Sequence, residues 1–249
     1  HIKHLKLKKL LSRSMTKVDF GSPVINKLLN GGLDKDTITT VFGAAGSGKS
    51  NFAIIAAISA ARRGRVIFID TESDFSVERA KQIEPNIRNI LKNITTIRPF
   101  EFTEQQKAIR DLREIIKKED VELIVIDSLT MLYRLERPDD PKEINLELTK
   151  QLSILSSIAR RNNIPILVTN QVYSNFDKRD AIKMVGGDIL QYWSKCLIRL
   201  EKVGIGIRKA EIIKHRALPE GSAVFFQIVN SGLEETTEPK EKERKFSLF

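Results

Sequence analysis

A chain of 249 residues with 41% hydrophobic and 30% charged residues has the length and balance of one sizeable globular domain. Because it contains no run of about 18 apolar residues, the sequence predicts no membrane span. Its single cysteine, Cys196, excludes an internal disulfide framework and a Cys-rich metal site, and it favours a reducing, cytoplasmic location.

The formal net charge of +10 hints at a polyanionic partner such as nucleic acid. Part of this charge lies in residues 1–14, which include no acidic residue and carry Lys3, Lys6, Lys8, Lys9 and Arg13. We interpret residues 1–14 as a disordered leader or added basic arm, with a mitochondrial targeting helix as the alternative. The remaining chain is only mildly basic, so composition alone does not establish nucleic-acid binding.

The core is predicted to span residues 15–233. Its first helix begins at Ser22-Pro23, with Ser22 as the cap, and stops at Asn30-Gly31-Gly32. Short apolar runs then alternate with helical patterns. The predicted elements in chain order are a strand over Thr37–Phe42, a helix over Asn51–Arg63, a strand over Val66–Asp70, a helix over Val77–Ile83, a strand over Ile94–Ile97, a helix over Thr103–Lys118, a strand over Leu123–Ile126, a helix over Pro141–Arg161 and a strand over Ile164–Thr169.

After Gly187 the pattern changes to strand-like pieces over Cys196–Leu200, Arg208–Ile213 and Val224–Ile228, and residues 234–249 are predicted to be a charged, disordered tail. The earlier strands are continuous apolar runs with helices between them, which is typical of a parallel sheet buried on both faces. The sequence therefore predicts an α/β fold, with a mostly parallel central sheet, flanking helices and antiparallel strands at the C-terminal edge.

One motif carries specific chemistry. Eight consecutive residues fit the P-loop pattern G-x-x-x-x-G-K-[ST]: Gly43, Ala44, Ala45, Gly46, Ser47, Gly48, Lys49 and Ser50. The motif follows an apolar strand and opens a helix at Asn51, so its backbone N–H groups and the helix N-terminus can hold phosphate. Lys49 is expected to reach the β- and γ-phosphates of ATP, and the Ser50 hydroxyl to bind Mg²⁺. The alternative is a glycine-rich turn with a chance lysine.

A second magnesium ligand is expected at the end of another buried strand. Asp127 ends the strand at Leu123–Ile126 and so faces the edge where ligands bind in open α/β sheets. Asp70 also ends a strand and is the competing candidate, with capping of the following turn as its alternative role.

Hydrolysis needs a group that orients or deprotonates water. Glu72 lies two residues beyond a strand at the same edge, and Gln171 ends another strand there. The residues alone do not decide whether Glu72 and Gln171 act in hydrolysis, because a polar side chain on such a loop is often only solvated.

Together these features resemble the RecA family of recombinases, most closely its archaeal branch and there a short type that consists of the core alone. The further marks of this resemblance are Asp70-Thr71-Glu72 followed by Glu78-Arg79, Thr169-Asn170-Gln171-Val172, Gly186-Gly187-Asp188-Ile189 and Leu218-Pro219-Glu220-Gly221. The resemblance implies a RecA-type fold and a role in DNA recombination. It also implies that Glu72 activates the attacking water, that Gln171 couples the γ-phosphate to a DNA-binding loop and that Arg79 packs against adenine.

In RecA-like ATPases, basic residues near the end of a late strand can reach the γ-phosphate of a neighbouring subunit. Lys214 and Arg216 match that place, and their alternative role is a solvated strand edge. Self-association is therefore possible in principle. Only about twenty residues precede Ser22, and they match no N-terminal DNA-binding domain, which favours a protein that assists a RecA-type recombinase.

Two stretches match the DNA-binding loops of the family, residues 133–143 and 172–188. Each mixes basic and acidic residues, so we expect weak, salt-sensitive binding of single-stranded DNA, or solvated loops without DNA contact. The last four residues, Phe246–Phe249, are either a frayed end or a docking motif.

Three functions remain in view. The first is a slow, DNA-dependent ATPase that assists recombination. The second is an ATP-gated mediator that does not hydrolyse ATP. The third is a RecA-like ATPase outside recombination, such as a KaiC-type signalling protein or a hexameric helicase.

Overall fold

The computed structural model describes residues 17–136, 141–174 and 182–239. The predicted leader at residues 1–14 and the Phe246–Phe249 end lie outside the described residues. Within the described ranges no helix is long and apolar enough to cross a membrane.

Most strands belong to one large sheet. Their bounds are β1 Lys17–Val18, β2 Leu33–Asp34, β3 Ile38–Gly43, β4 Arg65–Asp70, β5 Ile94–Ile97, β6 Val121–Asp127, β7 Ile166–Ser174, β8 Ile182–Met184, β9 Cys196–Lys202, β10 Ile207–His215, β11 Ala223–Val229 and β12 Gly232–Thr236.

The helices connect these strands. Their bounds are α1 Pro23–Leu28, α2 Lys49–Ala61, α3 Val77–Ile83, α4 Ile87–Leu91, α5 Phe102–Lys118, α6 Met131–Leu135, α7 Pro141–Asn162 and α8 Gly187–Trp193.

The strand order of the large sheet is β12-β11-β10-β9-β3-β7-β6-β4-β5, with β8 paired to β7. Strands β3 to β7 and β9 run parallel to their neighbours within that group, whereas β10, β11 and β12 pair antiparallel. This arrangement confirms the predicted mostly parallel sheet with antiparallel strands at its C-terminal edge. One detail differs, because β9 extends the parallel part by pairing with β3.

The continuous apolar strands are explained by helices on both faces of the sheet. In β4, Val66 and Phe68 belong to the apolar cluster that contains α2, whereas Ile67 and Ile69 belong to the cluster on the opposite face with α5 and α7. Successive side chains of a strand point to opposite faces, so a strand covered on both sides must be apolar at every position.

The structure corrects several details of the sequence prediction. Ser22 precedes α1, but its hydroxyl makes no capping bond and is buried without a hydrogen-bond partner in the described part of the chain. Helix α8, which follows Gly186 with its positive φ of 62°, was not predicted. The predicted tail begins too early, because β12 continues to Thr236 by pairing with β11, a long-range contact that the local charge pattern cannot indicate.

Phe52 of α2 packs at the centre of one core cluster, with its ring 5.3 Å from that of Phe20 and 5.5 Å from that of Phe226. We predict that Phe52→Ala lowers the free energy of unfolding by about 3–5 kcal/mol, because it removes a fully buried ring and leaves a cavity. Urea unfolding measures the change. The control is Phe100→Ala, whose side chain is 77% exposed and which should shift stability by no more than about 0.5 kcal/mol. Equal losses in the two variants would contradict the prediction.

Candidate functional site

The P-loop motif lies in the strand–loop–helix setting that its chemistry requires. Strand β3 ends at Gly43, and α2 begins at Lys49. A Cβ atom on Gly43 would lie 2.3 Å from the carbonyl oxygen of Leu200, so no side chain fits there. Gly46 and Gly48 adopt positive φ angles of 69° and 108°, which favour glycine. The turn that directs backbone N–H groups into the cleft therefore depends on these three glycines.

Lys49 is buried at the start of α2, and its Nζ donates hydrogen bonds to the carbonyl oxygens of Gly43 and Ala44, both at 3.0 Å. Burial lowers the pKa of Lys49, and the negative charges of Glu72 and Asp127 act in the opposite direction. The cleft thus holds a desolvated cation that acidic side chains partly compensate.

Asp127 ends β6 on the same edge of the sheet and is almost fully buried. The Thr169 hydroxyl donates to its Oδ1, while its Oδ2 is buried and has no hydrogen-bond partner among the described residues. Burial raises the pKa of Asp127 to about 6, although the hydrogen bond from Thr169 and the neighbouring Ser50 hydroxyl act in the opposite direction. A buried carboxylate oxygen without a partner, beside a serine hydroxyl, fits a hard divalent cation.

The Ser50 hydroxyl donates to Oδ2 of Asp74 at 3.2 Å, so a second carboxylate stands at this position. In the described ranges no group of three or more His, Cys, Asp or Glu side chains forms a metal site. Mg²⁺ in nucleotide sites binds one or two carboxylates and takes its remaining ligands from water and phosphate, so the fit of the site rests on Asp127 and the Ser50 hydroxyl.

The competing aspartate has a different role. Asp70 accepts hydrogen bonds from the backbone N–H groups of Asp74 at 3.0 Å and Phe75 at 3.3 Å, and it pairs with Arg98 at 3.4 Å. Asp70 therefore caps the turn that follows β4, which is the alternative role that the sequence analysis gave it. Asp70 does not line the cleft, whereas Asp127 does.

Glu72 and Gln171, which lie 99 positions apart in the chain, contact each other in the cleft. The Gln171 amide donates to both carboxylate oxygens of Glu72, at 3.1 and 3.2 Å, and the Ser128 hydroxyl donates to Glu72 Oε1 at 2.6 Å. Arg134, from the first of the two loop stretches, donates to Oε1 of Gln171. A continuous chain of side-chain hydrogen bonds therefore runs from Glu72 through Gln171 to Arg134 in the first candidate DNA-binding loop, and the second loop follows Gln171 in the sequence.

Arg79 lies beside the cleft without lining it. Its guanidinium donates to Oδ1 of the cleft residue Asn51 at 2.7 Å and to the carbonyl oxygens of Val229, Asn230 and Gly232 at 2.8 to 3.3 Å. Arg79 thus ties α3 and α2 to the turn between β11 and β12. These bonds use the N–H groups at the edge of the guanidinium. The predicted packing of its face against adenine stays a prediction.

The structure does not bring Lys214 and Arg216 to the cleft. They flank His215, which pairs with Cys196 at the start of β9, and Cys196 in turn pairs with Thr39 near the start of β3. The P-loop follows the other end of β3. The two cations therefore lie at the edge of the sheet opposite to this chain's own phosphate site.

Both cations have partners within the chain. Lys214 donates to the carbonyl oxygen of Gln191, and Arg216 contacts the carboxylates of Asp34 at 3.1 Å and Asp36 at 3.2 Å. Their predicted contact with a nucleotide could arise only between two copies of the chain, and it stays a prediction.

Sequence reasoning missed several residues of the cleft, which has a volume of about 350 Å³. Asp74, Arg208 and Ile228 line it together with the P-loop. Arg208 and Ile228 come from strands more than 150 residues beyond the P-loop, and no local pattern indicates that these strands reach it. Asp74 could have been predicted to line the cleft, because it lies two residues after Glu72 on the same loop.

The two loop stretches are described only in part. Residues 137–140 and 175–181 lie outside the described residues, so the predicted DNA binding by these parts of the two stretches rests on the sequence alone. At the base of the second stretch, β8 pairs with β7 and brings Met184 opposite Val172.

The chain is similar to known proteins over most of its length. The family model described as Rad51 matches residues 12–236. The chain is 42% identical over 218 residues to the DNA repair and recombination protein RadB of Methanobrevibacter smithii, a match that covers 84% of this chain and 92% of that protein. It is 40% identical over 225 residues to RadB of Thermoplasma volcanium, covering 90% of this chain and 94% of that protein.

A solved structure, the crystal structure of the RadB recombinase, matches with a TM-score of 0.76 at 31% identity and covers 88% of this chain and 100% of that chain. These matches confirm the RecA-type fold. They also confirm the resemblance to a short archaeal type, which is RadB.

We predict that Arg79→Ala accelerates amide hydrogen exchange in the β11–β12 turn by about tenfold or more, because each charged hydrogen bond to a carbonyl contributes on the order of 1.5–3 kcal/mol. Exchange followed by mass spectrometry on peptides that cover residues 226–236 measures the effect. The matched control is Arg88→Ala on α4, an exposed arginine. An unchanged exchange rate in Arg79→Ala would show that β12 is held without this contact.

Proposed function

The chain belongs to the Rad51 family, and from this membership we propose that it is a DNA repair and recombination protein that binds ATP with Mg²⁺ and hydrolyses it slowly. The RadB relatives carry the name of DNA repair and recombination proteins. Their names do not describe signalling proteins or helicases, so the alternative outside recombination is not carried forward.

One observation supports ATP hydrolysis more than any other. Lys49, Asp127, Glu72 and Gln171 come from four separate segments of the chain and line one cleft beside the P-loop. Each has the chemistry that one part of phosphoryl transfer requires, namely a cation for phosphate, a metal ligand, a base and a γ-phosphate contact.

In the proposed mechanism, the P-loop backbone and Lys49 bind the phosphates, and Ser50 and Asp127 hold Mg²⁺. Mg²⁺ held by these two residues would neutralise charge that develops on the phosphate oxygens. Glu72 orients the attacking water and accepts its proton, and the Ser128 hydroxyl at 2.6 Å fixes the carboxylate for this task.

Gln171 gives this site a means to respond to DNA. It contacts Glu72 and Arg134 at once, and it stands in β7 ahead of the second loop stretch. A movement of either loop would therefore change the position of Gln171 relative to the catalytic carboxylate. We propose on this ground that single-stranded DNA, bound weakly through residues 133–143 and 172–188, stimulates turnover.

A RecA-type recombinase is the proposed protein partner, because the sequence resembles a core-only type of the family. Self-association is proposed through Lys214 and Arg216, which would reach the nucleotide of a neighbouring copy from the opposite sheet edge.

The proposal predicts ATP turnover that rises with protein concentration and with single-stranded DNA. Glu72→Gln should lower kcat by about 10²–10⁴-fold while ATP still binds, because it removes the base and keeps the shape of the side chain. Phosphate release and equilibrium ATP binding, measured on the same preparations, separate the two effects.

Lys49→Ala is the control that should lose binding and turnover together. A double variant, Lys214→Ala with Arg216→Ala, should retain ATP binding and lose the dependence on protein concentration. If ATP binds tightly but no condition yields turnover, the proposal of an ATPase is wrong, and the data instead support an ATP-gated mediator of recombination.

For DNA we expect affinity that falls with salt, with a slope of about −2 for log K against log salt, as for about three phosphate contacts on a single strand. Fluorescence anisotropy of a labelled oligonucleotide across a salt series measures this slope. Arg137→Ala should reduce the slope by about 0.7 if that loop contacts phosphate, whereas Arg88→Ala on α4 should leave it unchanged. A slope that no loop substitution alters would remove both loops from the proposed DNA site.

A further inference from the structure

Arg208 of β10 forms part of the cleft wall on the side of the P-loop that the proposed mechanism does not use. It lines the cleft with Gly48, Asn51 and Ile228. A Cβ atom built on Gly48 would lie 3.6 Å from Arg208 Cδ and 3.7 Å from its Nε. The arginine side chain therefore passes directly beside the start of α2, where the phosphate-binding backbone is.

The guanidinium of Arg208 has little to bind within the chain. Its one hydrogen bond among the described residues runs from an Nη1 to the carbonyl oxygen of Gly206 at 3.1 Å, and its Nε is buried without a partner there. Burial lowers the pKa of Arg208, and no carboxylate of the described chain forms an ion pair with it. An arginine offers five N–H donors, so most of its hydrogen-bonding capacity is unused.

The strand order fixes which end of a nucleotide Arg208 can meet. Strand β3, which leads into the P-loop, has β7, β6 and β4 on one side. Gln171 lies in β7, Asp127 ends β6 and Glu72 follows β4. Strands β9 and β10 lie on the other side. The γ-phosphate must face the base and the metal ligand, so Arg208 lies towards the opposite end of the triphosphate.

We propose that Arg208 binds the α-phosphate end of the nucleotide held by the P-loop of the same chain, an assignment that rests on the proposed function. A guanidinium gives charged hydrogen bonds to phosphate oxygens and is suited to such a contact. The chain then supplies two cations to its own nucleotide, Lys49 at the β- and γ-phosphates and Arg208 at the α-phosphate.

The alternative is that Arg208 only fills the wall between Gly48 and Ile228. The two roles differ in their dependence on nucleotide. An α-phosphate contact contributes equally to the affinities for ATP and ADP. A contact at the γ-phosphate contributes to ATP alone, and a side chain that only fills the wall contributes to neither affinity.

The test measures the dissociation constants of ATP and ADP, each with Mg²⁺, for the full chain and its variants by calorimetry. Arg208→Ala should weaken both nucleotides by about 10- to 100-fold, the range expected for a lost charged hydrogen bond, with the ATP-to-ADP ratio unchanged. Arg208→Lys should recover part of the loss, since it keeps the charge without the planar fork. The matched control is Lys209→Ala, the next residue of β10, which pairs with Glu211 at 3.2 Å and should bind both nucleotides as the parent chain does.

Thermal unfolding without nucleotide identifies a variant that has lost its fold, and in that case Arg208→Gln replaces Arg208→Ala. Unchanged affinities in a folded Arg208 variant overturn the inference and leave the proposed function intact. A loss for ATP alone also overturns it, because it places the guanidinium at the γ-phosphate. If the parent chain binds neither nucleotide, the proposed function fails first and this inference fails with it.

Discussion

The close backbone contact at the end of β3 determines where every other part of the site lies. Gly43 pairs with Gln171 of β7 on one side and with Leu200 of β9 on the other, and the Leu200 carbonyl leaves no room for a side chain. A one-residue shift in either register would turn the neighbouring side chains to the other face of the sheet. The placement of Gln171 beside the P-loop, and of β10 near Gly48, follows from these two pairings.

The cleft has opposite electrostatic character on its two sides. Glu72, Asp74 and Asp127 stand on the side of β4 and β6, and their negative charges partly offset the effect of burial on the ammonium group of Lys49. The side formed by β10 carries Arg208 and no described acid among its lining residues. A polyanion with a metal ion at one end complements this distribution, because the cation offsets the acids and the phosphate oxygens meet the N–H donors.

The sequence predicted the parts of the fold that local patterns encode. Continuous apolar runs identified the buried strands, and the glycine spacing identified the phosphate loop before strand pairing was known. Patterns along the chain cannot show which distant strands become neighbours, so Arg208 and Ile228 were missed and the predicted tail overlaps the last three residues of β12. Local sequence patterns likewise could not predict that Glu72 and Gln171 are close, because only the order of β4, β6 and β7 brings them together.

The two ends of the central strands present different surfaces, with the P-loop cleft at one and Lys214 and Arg216 at the other. Any contact that joins one end to the other is heterologous, because it uses two different patches of the molecule. Such a contact cannot close as a two-fold symmetric dimer. It repeats in one direction and produces either a ring or an open helix, according to the rotation between successive copies. Polarity of assembly is thus already present in the single chain.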